Sequence, residues 1–226
     1  MPQAPWKPLL AEVIGTFTLI FAGAGAIIMD QATKGGVGLL GISLAHGLAI
    51  AVMVSALGAV SGGHFNPAVT CGFLASGRMK VGRGVTYIVA QLCGAALGAA
   101  ALWSTYPHDA ASAVHLGTPA LASGVSTGAG ILLEAIGSFF LVIVVFGTAV
   151  HPQAPRLGGL AIGLTITMDI LAFGLLTGAA MNPARAFGPA LVAGDWANQL
   201  VYWIGPIIGG AAAGWLYSGA YIGAAR

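Results

Sequence analysis

Two tripeptides dominate the chemistry open to this chain. Asn66-Pro67-Ala68 and Asn182-Pro183-Ala184 repeat one motif at separate places, and Arg185 follows the second directly. An asparagine amide offers two N–H donors and an acceptor, and an arginine offers five donors on a fixed charge. Such a set presents hydrogen bonds and a positive field to a polar molecule. Nothing beside it can make or break covalent bonds: the sequence has no nucleophile and base at catalytic spacing, no cluster with metal-ligand spacing and no nucleotide-binding loop. That pattern argues against an enzyme and calls for no cofactor and no metal. A second pair is acidic. Glu12 in AEVIGTF and Glu134 in LEAIGSF stand 54 and 48 residues before the two motif asparagines.

The elements that must position these groups are set by a scarcity of charge. The chain has 226 residues, of which 8 are Lys or Arg and 6 are Asp or Glu, while 58% are apolar and 36 are Gly. A water-facing domain needs roughly a quarter of its residues charged. The balance therefore excludes a soluble enzyme, a disordered chain and a nucleic-acid binder working through a basic face, and leaves the lipid bilayer as solvent. Six stretches are long and apolar enough to cross about 30 Å of hydrocarbon: 9–29, 37–60, 84–103, 127–149, 159–176 and 199–220. The opening MPQAPWKPLL lacks the basic start and cleavage site of a secretory signal, so the first stretch is expected to be a retained span. Lys7, Arg78, Lys80, Arg83, Arg156 and Arg226 fall on the side of the termini and Lys34 opposite. By the positive-inside rule the termini are cytoplasmic. The one long connection, 104–126, reads as an ordered or partly ordered outer loop.

The halves of the chain match each other. AEVIGTFTLIFAGAGA pairs with LEAIGSFFLVIVVFGTA, and SGGHFNPAVTCGFL with TGAAMNPARAFGPAL. A single domain over 1–226 thus holds one repeat at about 9–103 and another at about 127–220. Three spans separate the copies, so the second enters the membrane from the opposite side, an inverted repeat with its pathway at the midplane. Asn is a preferred N-cap and Pro is best tolerated at the first helical position. Each tripeptide therefore starts a half-helix, 67–76 and 183–192, whose length is half a membrane. If both begin at the midplane, their positive dipole ends meet there. Non-helical backbone at that depth must be buried in protein or line a wet cavity. Gly62, Gly63, His64 and Phe65 in one half, and Gly178, Ala180 and Met181 beside Ala179 in the other, are expected to turn carbonyls toward water.

The paired NPA motifs, the Arg after the second, the paired E-x-x-G-[TS]-F starts and the six spans together resemble the aquaporin (major intrinsic protein) family over essentially the whole chain. The resemblance implies an all-α membrane protein of six helices plus two re-entrant half-helices, an hourglass with a pore in each protomer, assembled as a homotetramer. It implies that Asn66 and Asn182 donate to a single file of water, and that Glu12 and Glu134 brace the re-entrant loops. It places His46, Ile170, Ala179 and Arg185 at the outer constriction, by their spacing from the motifs. His, Ile, Ala and Arg match neither the water-strict set (Phe, His, Cys, Arg) nor the glycerol set (Trp, Phe, Gly, Arg), and look most like the plant tonoplast members. DILAFG and TGAAMNPARAFGPALVAGDW resemble that subgroup too.

Ile in place of an imidazole removes a donor and an acceptor from the ring, and Ala179 leaves room. The expected function is a passive water channel with a wide filter that also takes ammonia, hydrogen peroxide or urea. A glycerol facilitator is the close alternative, opposed by Ala186 and Ala190 where facilitators carry Asp and Lys. A non-conducting adhesion protein of the same fold is the alternative of another class. Asp169 reads as an interhelical hydrogen-bonding group, His108 and His115 as loop residues, His151 as an inner-loop residue, and Cys71 as a thiol near the first motif. The short termini suit a plasma membrane better than a vacuolar one.

Overall fold

The computed structural model describes residues 4–155 and 157–223. Arg156 and Arg226, counted above for orientation, and the first three residues of the opening lie outside the described residues. All regular structure among the described residues is helical. Five helical runs cross the apolar layer: Trp6–Ala32, Gly38–Ser61, Val81–Thr105, Thr127–Val150 and Gly158–Thr177. The sixth expected span is shorter as an α-helix, Val201–Tyr217, and runs straight on into a π-helical turn at Ser218–Ile222.

In chain order the α-helices are α1 (Trp6–Leu19), α2 (Gly25–Ala32), α3 (Gly38–Ser61), α4 (Pro67–Ala75), α5 (Val81–Thr105), α6 (His108–Ala113), α7 (Thr127–Val145), α8 (Gly158–Thr177), α9 (Pro183–Ala193) and α10 (Val201–Tyr217). A π turn at Ile20–Ala24 joins α1 to α2, and another at Phe146–Val150 ends α7. The half-helices α4 and α9 start where the motifs placed them and end within a residue of the expected positions. The connection 104–126 is ordered, built around α6 and a one-turn 3₁₀ helix at His115–Gly117.

Packing follows the small residues. α5 lies on α1 where Gly94 and Gly98 meet the Val13 and Phe17 carbonyls, and α10 lies on α7 where Gly205 and Gly209 meet those of Ile131 and Ala135. In lipid no hydrophobic drive separates helix from solvent, so close backbone approach through small residues is what holds such pairs. α3 packs on α8, α4 on α10 and α9 on α5. Outward faces carry apolar stripes such as Leu40, Leu44, Leu48 and Val52 on α3, and Leu160, Leu164, Met168, Leu171 and Leu175 on α8. Below, "inner" denotes the face with the chain ends and "outer" the opposite face.

Candidate functional site

The site is two loops that interrupt the helical layer, 61–66 before α4 and 177–182 before α9. Each leaves its helix through a left-handed glycine, Gly62 at φ 93° and Gly178 at φ 83°. Each also holds non-glycine residues there: Phe65 at φ 50° in the first loop, Ala179 at 43° and Met181 at 50° in the second. Such residues are costly and persist only where surroundings over-determine them.

A buried carboxylate does this in each loop. Glu12 Oε1 accepts from the Ser61 hydroxyl at 2.7 Å and the His64 N–H at 3.0 Å, and Oε2 accepts from the Phe65 N–H at 2.7 Å. Glu134 Oε1 accepts from the Thr177 hydroxyl at 2.7 Å and the Ala180 N–H at 3.0 Å, and Oε2 accepts from the Met181 N–H at 2.6 Å. Tyr87 and Tyr202 donate to the Ser61 and Thr177 carbonyls, both at 2.8 Å. Sequence reasoning missed the tyrosines, although they keep matching places in the helix that follows each half's loop: YIVAQLCG begins at Tyr87 and YWIGPIIG at Tyr202.

The motif asparagines cap the half-helices and cross-link the loops. Asn66 Oδ1 accepts from the Ala68 N–H at 2.8 Å; Asn182 Oδ1 accepts from the N–H groups of Ala184 at 2.9 Å and Arg185 at 3.3 Å. Asn66 Nδ2 donates to the Met181 carbonyl at 2.8 Å, and Asn182 Nδ2 donates to the Phe65 carbonyl at 2.9 Å. Each amide therefore keeps one free N–H of its two. Pro67 and Pro183 take the first helical positions, with Ala68 and Ala184 fully buried behind them.

A cavity runs between the loops, with about 20 Å³ open to the centres of water-sized molecules. Its polar groups are His46, His64, Asn66, Asn182 and Arg185, and its walls are Leu19, Ile50, Val69, Leu141, Val145, Ile162, Ile166 and Ile170. At the outer end a vestibule shares Ile170 and Arg185 with it and adds Gly117, Thr118, Pro119 and Gly178. At the inner end another shares His64 and adds Ser61, Gly62, Phe73, Arg78, Lys80 and Arg83. The four residues expected at the outer constriction, His46, Ile170, Ala179 and Arg185, all line this one cavity.

His46 is fixed: its Nδ1 lies 2.9 Å from the Ile42 carbonyl, to which it donates, and its ring sits against Gly23. Arg185 is held from outside the helical layer, its Nη1 donating to the Gly117 carbonyl at 2.7 Å. No side-chain identity marks that contact, so it leaves no sign in the sequence.

The structure bears on the remaining expectations. Of the carbonyl-bearing residues, Gly63, His64, Ala180 and Met181 line the cavity, while Gly62 and Gly178 line the mouths. Phe65 does not line it: its side chain is fully buried against Gly15, and its carbonyl, like that of Met181, takes the opposite asparagine's N–H. Asp169 is buried, but among the described residues its Oδ2 has no interhelical partner of the kind expected. His108 packs edge-on against Trp103, and His115 pairs with Asp195, so neither lines the vestibule. His151 Nδ1 accepts from the Gln153 N–H, and half-buried Cys71 stands off the cavity.

Residues 2–217 match the family model described as major intrinsic protein. The chain is similar to aquaporin TIP4-4 of Zea mays, 45% identical over 223 residues that cover 96% of this chain and 87% of that protein. It is similar to aquaporin TIP2-1 of Zea mays, 43% identical over 96% of this chain and 88% of that one. A probable aquaporin TIP3-2 of Arabidopsis thaliana is 45% identical over 93% of this chain and 82% of its own length. Among solved structures, the aquaglyceroporin from Plasmodium falciparum superimposes with a TM-score of 0.82 at 24% identity, covering 93% of this chain and 94% of that one.

Proposed function

The chain belongs to the major intrinsic protein family and is a passive membrane channel, and from that premise we propose that its central cavity conducts a single file of water through a filter wide enough for ammonia, hydrogen peroxide and urea. The observation that carries this reading is the distribution of polarity along the cavity. Most of the wall is aliphatic, and the polar groups are Asn66 and Asn182 at the centre, His46 and Arg185 toward the outer end, and His64 at the inner mouth.

At the centre, Asn66 and Asn182 each keep one N–H to give. A water whose oxygen accepts both cannot also pass a proton along the file. α4 and α9 both begin there, so their positive ends oppose any cation, as is general for aquaporin-type pores. Toward the outer end Arg185 adds a fixed positive charge. Ile170 and Ala179 make one wall of that constriction apolar and open, and His46 Nε2 is left as an acceptor for a passing N–H or O–H.

We read residues about 9–103 and 127–220 as an inverted repeat within one domain, with the termini cytoplasmic and the protomer assembled as a homotetramer. The TIP-type names of its relatives weigh against the plasma-membrane expectation and toward a vacuolar-type membrane. The same names favour water over glycerol as the principal solute.

The test is stopped-flow permeability of proteoliposomes to water, ammonia, urea and hydrogen peroxide. Protein-containing vesicles should exceed empty ones for water, and equality would end the channel reading. The double variant His46→Phe, Ile170→His should lose ammonia and urea flux while keeping water. Unchanged solute flux would contradict the filter assignment.

A further inference from the structure

Arg185 reaches the cavity from the first turn of α9, and its guanidinium is oriented by one hydrogen bond among the described residues, to the Gly117 carbonyl. That carbonyl belongs to an unusual turn. His115, Leu116 and Gly117 stand consecutively in the left-handed region, at φ 47°, 55° and 73°. Two of the three are not glycine, so the turn is disfavoured on its own and must be held by its surroundings.

Two anchors hold it. Leu116 is buried among Ile20, Ala24 and Ile28. On the other side, His115 Nδ1 lies 3.1 Å from Asp195 Oδ2. Asp195 directly follows Gly194, the left-handed residue that ends α9, and its Oδ1 accepts the Ala197 N–H. The outer loop is thus tied to both ends of the half-helix that carries Arg185. One tie is the His115–Asp195 contact and the other is the hydrogen bond to Arg185 itself.

We infer that Asp195 is a positioning residue for Arg185, acting through His115 and the Gly117 carbonyl, so that a pair lying outside the pore tunes which solutes the filter admits. Neither His115 nor Asp195 lines the cavity or its outer vestibule. The inference rests on the reading of Arg185 as a filter residue. The pair is partly exposed, and exposed ion pairs are weak. Its loss shifts the orientation of the guanidinium and leaves the fold standing.

The experiment compares the ratio of urea to water permeability in proteoliposomes of equal protein density, made from the full chain. His115→Gln and Asp195→Asn should each raise that ratio roughly two- to fivefold, the range an exposed pair can supply, with water flux and thermal stability retained. The reciprocal double variant, His115→Asp with Asp195→His, should return the ratio toward the parent value. A ratio unmoved in both single variants overturns the inference. So does a fall in water and urea together, the mark of a merely structural role, or a reciprocal variant no better than the singles. Arg185→Val separates the two levels: if it moves the ratio and the single variants do not, the positioning role alone fails, and if it too leaves the ratio unchanged, the filter reading fails.

Discussion

The inner loop, 61–66, and the outer loop, 177–182, share one hydrogen-bond plan and differ in everything around it. In both, a carboxylate gathers a hydroxyl and two backbone N–H groups, a tyrosine caps the preceding helix, and an asparagine spans to the other loop. Around the inner loop, further polar side chains back the carboxylate. Gln91 Nε2 donates to Glu12 Oε2 at 2.8 Å and to Thr70 Oγ1 at 3.0 Å, and His64, stacked between Phe73 and Tyr87, reaches the same Thr70 hydroxyl. At the corresponding places around the outer loop stand Pro206, Ala186 and Ala180, none with a polar side chain. The outer half puts a charged group into the pore: Arg185 occupies the register that Val69 holds in the inner half. The shared groups make the irregular backbone possible in lipid, where no water would satisfy it. The groups that differ divide support from selection.

The sharpest way to break this comparison is to remove the carboxylates. Glu134→Ala strands a hydroxyl and two backbone N–H groups, each at about 1–3 kcal/mol, and Pro206 brings no replacement. Little folded, monodisperse protein should survive extraction. Glu12→Ala strands more donors, yet Gln91 Oε1 is buried without a partner among the described residues and can turn to accept one of them. Its loss of thermal stability should be the smaller of the two. Equal loss, or a larger one at Glu12, would show that the polar backing does not compensate.

Next in size is the pore itself. Arg185→Val copies the inner loop's residue into the outer one, leaving the asparagines and the half-helix ends in place. Urea flux should rise about tenfold, equivalent to roughly 1.4 kcal/mol off the barrier, and sodium leak should become measurable in vesicles. If sodium stays excluded and urea flux does not change, the centre and not the outer constriction does the selecting.

How much of this was readable beforehand follows from what kind of group does each job. Spans and half-helix starts were legible because length, hydropathy and an Asn-Pro cap are properties of the sequence itself. Asn66 with Asn182, and Glu12 with Glu134, were legible because the halves repeat them in register. Tyr87 and Tyr202 sit in the same register but carry no motif of their own, so their hydrogen bonds to the loops were not read. The Gly117 carbonyl could not be read, since a backbone acceptor has no letter and its place depends on how the 104–126 connection folds over α9. The π turns at Ile20–Ala24 and Phe146–Val150 interrupt no hydropathy pattern, which explains why the first and fourth spans looked uniform. Asp169 shows the converse failure. Its type and setting promised a partner, and the packing of α8 gives its Oδ2 none.

The smallest expected effect separates support from selection most cleanly. Gln91→Met keeps the side-chain volume, removes two donated hydrogen bonds and also removes a buried, unpartnered acceptor. A hydrogen bond to a charged group contributes about 1.5–3 kcal/mol, the neutral one to Thr70 about 0.5–1.5, and an orphaned buried polar atom costs about 1–3, so the terms largely offset one another and leave about 1 kcal/mol at central values. The net loss should be no more than about 1 kcal/mol, a fall of roughly 2–4 °C in Tm for a chain of this size. Permeability to water and urea should not move, because Gln91 lies off the cavity and Glu12 keeps its three other donors. Combined with Glu12→Ala, the same change removes the one acceptor able to stand in, and that double variant should fall to the level of Glu134→Ala. A change in solute selectivity from Gln91→Met alone would mean that the inner loop's backing shapes the pore as well as the fold.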